Sequence, residues 1–183
     1  AWYQGGISVI DFTDSAGPVE IAFFDRGPID AEDMILGGFW SAYWYGGRIY
    51  GTEIVRGLDV LALLPSEYLS ANEIAAAALA NQGEVFNPQQ QFRVTWPPEP
   101  VEAHANLDQL ARDNALGTEN IIELAQALNR AEERLEAGAG DRGLARALER
   151  FAATLGEDAG SAIDVRRRSE LAETLTGLAD RLR

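Results

Sequence analysis

The side chains best suited to acid–base or metal chemistry are three neighbouring carboxylates, Asp30, Glu32 and Asp33, in the segment "DRGPIDAEDMILGG" (25–38). Clustered carboxylates can bind Ca²⁺ or act as an acid and base pair, as in a hydrolase. Their spacing matches no EF-hand loop, and acidic neighbours are expected by chance in a chain with 29 Asp and Glu against 15 basic residues. We therefore predict a solvated loop or cap here and keep a metal site as the alternative.

The sequence offers few other chemical groups. His104 is the only histidine, so a multi-histidine metal site is excluded, and no Ser-His-Asp pattern surrounds it. The absence of cysteine removes disulfides, thiolate catalysis and cysteine-based zinc sites. The glycine pairs form neither of the common phosphate-binding motifs. We predict a helix-surface position for His104, and no catalytic residue or cofactor.

Aromatic and basic clusters are open to two interpretations. Five aromatic residues could form a flat binding surface for a sugar, or they could pack between sheets: Trp40, Tyr43, Trp44, Tyr45 and Tyr50. Because these residues alternate across both faces of a strand pair, we favour packing. The basic run at 166–168 is interpreted as the solvent face at a helix start.

The net charge of −14 restricts the partners. Both halves of the chain are acidic, so neither offers the basic face that nucleic acid or an anionic membrane requires. No apolar run reaches the length of a bilayer span. The opening residues "AWYQGG" lack a basic leader and an initiator Met, and we expect a processed product or a fragment.

The first hundred residues are rich in predicted strands. Turn formers and a Gly46-Gly47 hairpin separate them. The predicted strands are 7–12, 19–24, 39–45, 48–54, 58–64 and a short one at 92–96. A capping box at Ser70 and Glu73 predicts a helix over 70–81. The segment "PPEP" (97–100) is predicted to be a stiff spacer that ends the first domain.

Residues 101–183 show apolar stripes at helical spacing. We predict a bundle of about four helices, with Thr118 as one N-cap, Gly138 as a stop and Asp164 as a further cap. The expected fold class is therefore α+β, with a β domain over 1–100 and a helical domain over 101–183.

A short pattern recurs along the β region: "GISVI" begins at Gly6 and "GLDVL" at Gly57. This spacing is close to the ~40–50-residue period of propeller blades. The stretches "GGISVIDFTDSAGPVEIAFFD" and "YWYGGRIYGTEIVRGLDVL" resemble the LVIVD-repeat β-propeller family over residues 5–64. Ala16-Gly17 and "LDVLALLP" depart from the repeat. The resemblance implies an antiparallel propeller-blade fragment that lacks upstream blades.

The helical region resembles the FIMAH domain, a module of secreted multidomain proteins. The resemblance is carried by "IIELAQALNRAEERLEAG", "LARALERFAATL" and "ELAETLTGLADRL". Together the two resemblances imply an extracellular or surface location and a non-catalytic binding or scaffold role toward an unknown protein or carbohydrate. The alternative is a hydrolase that uses rim carboxylates together with residues on missing blades.

Overall fold

The predicted turn formers separate strands in the computed structural model, which describes residues 1–85, 87–90, 93–155 and 161–183. All strand pairs are antiparallel, and they form a two-stranded sheet, β1–β2, and a three-stranded sheet, β3–β4–β5. The strands are β1 (Ile7–Asp11), β2 (Val19–Phe24), β3 (Phe39–Tyr45), β4 (Arg48–Glu53) and β5 (Gly57–Leu61). The fold is thus α+β, and β5 ends before the predicted limit of 64.

The β3–β4 hairpin turns at Gly46-Gly47, as predicted. Tyr45 pairs with Arg48, and both glycines have positive φ, 54° and 78°. Residues other than glycine rarely have a positive φ at two successive positions, so the glycine pair fixes the register of β3 against β4.

The two sheets pack together through a small apolar core in the first unit. Ile7, Phe39 and Ile49 are its buried members. Gly51 makes this packing possible, because a Cβ there would lie 2.8 Å from both the Ile7 Cδ1 and the Phe39 ring. The Arg26 guanidinium lies over the Phe39 ring and pairs with Asp59 at 2.6 Å. One face of each sheet is therefore used in holding the unit together.

Helix α1 (Ala71–Ala78) begins at the predicted capping box. The Ser70 hydroxyl accepts from the Glu73 N–H, and the Glu73 carboxylate accepts from the Ser70 N–H. The helix ends before the predicted limit of 81, because Asn81 forms an isolated bridge with Thr95. That bridge replaces the strand predicted at 92–96, which is wrong for 93–96; Phe92 lies outside the described residues.

The second unit contains four helices among its described residues: α2 (Pro100–Arg112), α3 (Thr118–Glu136), α4 (Arg142–Leu155) and α5 (Ala162–Arg181). Their apolar stripes meet in one core whose largest fully buried side chains are all leucine. Gly138 ends α3 with a positive φ of 61°, as predicted. Two cap predictions are wrong: Gly117 is the N-cap of α3, and Ser161 caps α5 with Asp164 as its capping-box partner.

The chain divides into two compact units, Ala1–Thr95 and Trp96–Arg183. The division lies before the proline-rich segment, whereas the sequence suggested residue 100. Pro98 packs against Gly177, and its carbonyl accepts a hydrogen bond from Arg181. The segment is therefore part of the second unit and does not act as a free spacer.

Candidate functional site

The three candidate carboxylates lie in the exposed loop between β2 and β3. Asp30 Oδ1 accepts hydrogen bonds from the backbone N–H groups of Glu32, at 2.8 Å, and Asp33, at 2.9 Å. These bonds favour the charged form and hold the pKa of Asp30 below its ordinary value. Within the described residues, no group of three or more His, Asp or Glu side chains is arranged to hold a metal ion. The geometry is that of a loop cap, and a Ca²⁺ site stays the untested alternative.

The same loop is clamped at its base by Gln4, a residue that sequence reasoning missed. The Gln4 amide donates to the Ile35 carbonyl at 2.5 Å and accepts from the Ile29 N–H at 3.0 Å. The Arg56 guanidinium also donates to the Pro28 carbonyl at 3.3 Å. A single glutamine outside any motif carries no sequence signal for this role.

Glu53 organises the next turn from a buried position. Its carboxylate accepts backbone N–H bonds from Gly38, Val55 and Arg56. Burial opposes ionisation, but these bonds and the Arg56 charge outweigh it and lower the pKa of Glu53. The carboxylate thus joins Gly38, the residue before β3, to the turn between β4 and β5, which is a structural role.

A different surface stands out on the three-stranded sheet. The pairing aligns Tyr43 with Tyr50 and Val60 in one row, and Ser41 with Thr52 and Leu58 in the next. Because residues two apart share a side of a strand, the two rows form one surface, called here the outer sheet face. Tyr43, Leu58 and Val60 are 46%, 62% and 55% exposed. This partly aromatic face is opposite the small core, and the exposed Arg48 borders it in the next row.

The predicted aromatic cluster is divided between surfaces. Trp44 packs against the core, and the Tyr45 hydroxyl donates to the Gly83 carbonyl at 3.2 Å. Trp40 is exposed and meets the Tyr3 ring edge-on at 5.9 Å. Strand β3 carries apolar side chains on both sides: the Trp44 side is covered by the core, whereas Tyr43 on the other side is exposed. The sequence analysis did not identify Leu58 and Val60 as candidate surface residues. Their alternation with Asp59 was the signal that could have placed them on one side of the strand.

The remaining candidates lie in the second unit. His104 is half-buried on α2. The run 166–168 was expected on the solvent face, but Arg168 is buried, 3% exposed, and Arg167 pairs with Asp113. Arg166 pairs with Glu170 one turn along α5 at 2.9 Å. The run is therefore largely committed to intramolecular contacts.

The character of the helices and three comparisons with known proteins bear on the wider context. Within the described part of the chain, no helix combines the length and apolar character needed to cross a bilayer. No family model, curated protein or solved structure matches the sequence. The resemblances to LVIVD repeats and to the FIMAH domain therefore stay predictions.

Proposed function

We propose that this chain is a non-catalytic binding or scaffold module whose contact surface is the outer sheet face. The observation that carries the proposal is the exposure of Tyr43, Leu58 and Val60 side by side on a regular sheet. Tyrosine-rich, charge-depleted surfaces are typical of the centres of protein interfaces. Strand pairing holds the backbone of this face in place, so binding requires little ordering.

We further propose that the first unit is part of an LVIVD-type propeller of a secreted or surface protein. Two antiparallel sheets that pack face to face, each with an exposed apolar side, support this assignment. On the β1–β2 sheet the exposed side includes Phe23, at 75% exposure. Neighbouring blades would cover such faces. The sheets have two and three strands, fewer than the four of a complete blade.

The test removes the apolar character of the face without touching the core. A triple variant, Tyr43→Ser, Leu58→Ser and Val60→Ser, and the wild-type chain are immobilised and compared for proteins retained from cells of the source organism and for glycans on an array. The matched control, Ile122→Ser with Val165→Ser, removes side chains of similar exposure, 53% and 50%, from the helical unit. We expect a ligand that the wild type and the control retain and the triple variant loses.

Two results would overturn the proposal. One is equal retention by all three proteins. The other is hydrolytic turnover of a retained ligand that disappears in Asp30→Asn, since this would assign chemistry to the loop carboxylates.

A further inference from the structure

The loop between β2 and β3 presents an apolar tip whose residues are not part of the outer sheet face. Met34 is fully exposed, and Leu36 is 73% exposed, with Ile35 between them. Burying one such side chain is worth about 1.5–3 kcal/mol. These side chains are largely exposed among the described residues, so a partner that buried them would gain binding free energy.

The tip is carried on an ordered base. Gln4 bridges the backbone of Ile29 and Ile35 across the loop, at 3.0 and 2.5 Å. Gly37 and Gly38, both buried, close its end. A tip held in this way needs little further ordering when a partner covers it.

The charges around the tip select the kind of partner. Residues 27–47 contain no Lys or Arg, whereas Asp30, Glu32 and Asp33 shortly precede the apolar residues; the Arg56 guanidinium contacts this loop at its base, at the Pro28 carbonyl. The carboxylates alone do not define a binding site. Their negative charge favours a positively charged partner surface over the tip. A partner surface that is apolar and surrounded by Lys or Arg would interact favourably with the loop carboxylates. A second copy of this chain, with a net charge of −14, would be repelled.

We propose that the tip Met34–Leu36 docks on a basic amphipathic helix of a partner protein. Methionine and leucine adapt to the apolar stripe of such a helix, and the flanking carboxylates face its Lys or Arg residues. This inference stands apart from the proposed role of the outer sheet face, and each can fail without the other.

The test uses the full chain and a labelled synthetic helical peptide of about 15 Leu and Lys residues. Fluorescence anisotropy measures binding, with a Leu/Gln peptide and a Ser/Lys peptide as probes that lack the charge or the apolar stripe. We expect the Leu/Lys peptide to bind best. Met34→Ser with Leu36→Ser should weaken it about tenfold or more, and Glu32→Gln with Asp33→Asn about fivefold at low salt.

Matched controls separate the loop from general attraction to an acidic protein. Val85→Ser with Ile122→Ser removes exposed apolar side chains elsewhere, and Glu119→Gln with Glu123→Gln removes exposed charge from α3. Both controls should bind within about twofold of the wild type. Because all these side chains are exposed, circular dichroism should show an unchanged fold.

Any of three results would overturn the proposal. The first is that loop and control variants lose the same affinity, or that no peptide binds. The second is self-association of the chain that Leu36→Ser abolishes. The third is that neutral lipid vesicles, tested in parallel, bind through Met34 and Leu36 more tightly than the peptide does.

Discussion

Gly177 lies within α5, where glycine is normally unfavourable, and its replacement by alanine tests the docking of the proline-rich segment. In an open helix interior this change stabilises by about 0.5–1 kcal/mol. Here the new Cβ would lie 2.6 Å from the Pro98 Cβ and 2.9 Å from its Cγ. Overpacking of this kind costs about 1–3 kcal/mol. The two effects together predict a net destabilisation of about 1 kcal/mol.

Pro98 has little freedom to move aside. Arg181 donates to its carbonyl, and the same arginine pairs with Glu99 at 2.9 Å. The double variant Pro98→Gly with Gly177→Ala removes both the Cβ and the Cγ that the new methyl group would meet. It should recover the helix propensity of alanine, with a coupling free energy of about 1–2 kcal/mol.

The assay is urea unfolding and thermal unfolding of the full chain, both followed at the helical circular dichroism band. For a unit of this size, 1 kcal/mol corresponds to about 4–8 °C in melting temperature. Gly143→Ala is the control, because a Cβ there approaches only the Asp141 carboxylate, at 3.3 Å. Pro98 does not pack on α5 if Gly177→Ala stabilises the chain as Gly143→Ala does. The same conclusion follows if the changes in free energy of unfolding at positions 98 and 177 are additive.

Three further predictions concern the cores and the carboxylates. Leu148→Ala, at a fully buried position, should destabilise the helical unit by about 2–5 kcal/mol in urea unfolding; a smaller loss would contradict the packed core. Burial raises the pKa of Glu102, and Glu170 and Glu173 raise it further, so its contribution to stability is lost as pH rises through the raised pKa. Glu102→Gln should therefore increase the melting temperature at neutral pH and not at about pH 4, and a difference independent of pH would refute this. Glu53→Gln should lower the melting temperature of the first unit and speed amide exchange in the 54–56 turn, whereas unchanged exchange would show that the carboxylate does not hold it.

Local signals in the sequence predict much of the architecture. The Gly46-Gly47 turn and the Ser70–Glu73 capping box are correct in detail, because each depends on residues adjacent in sequence. The N-cap of α3 was missed because Thr118, a good capping residue, is preceded by a glycine that already adopts the extended cap conformation. Such competition between neighbouring candidates is decided by backbone geometry.

The candidate surfaces were harder to predict because they depend on contacts between distant residues. Gln4 clamps a loop about 25–31 residues away. Apolar alternation in β3 correctly indicated a two-sided strand, yet it could not show that only the Trp44 side is covered within this chain. Periodicity identifies which residues share a face, but the partner of that face depends on chain topology.

The two units use their apolar residues in different ways, and this difference supports a binding role for the first one. In the helical unit, leucines of all four helices are buried together, so its sequence is largely accounted for by its own fold. In the first unit the buried core is small, while Phe23 on β2, Leu58 on β5 and Met34 in the β2–β3 loop remain in contact with water. Water-exposed apolar side chains contribute nothing to the stability of the isolated unit and favour association. Under the proposed binding role, partners would cover these positions on the paired strands and on the β2–β3 loop.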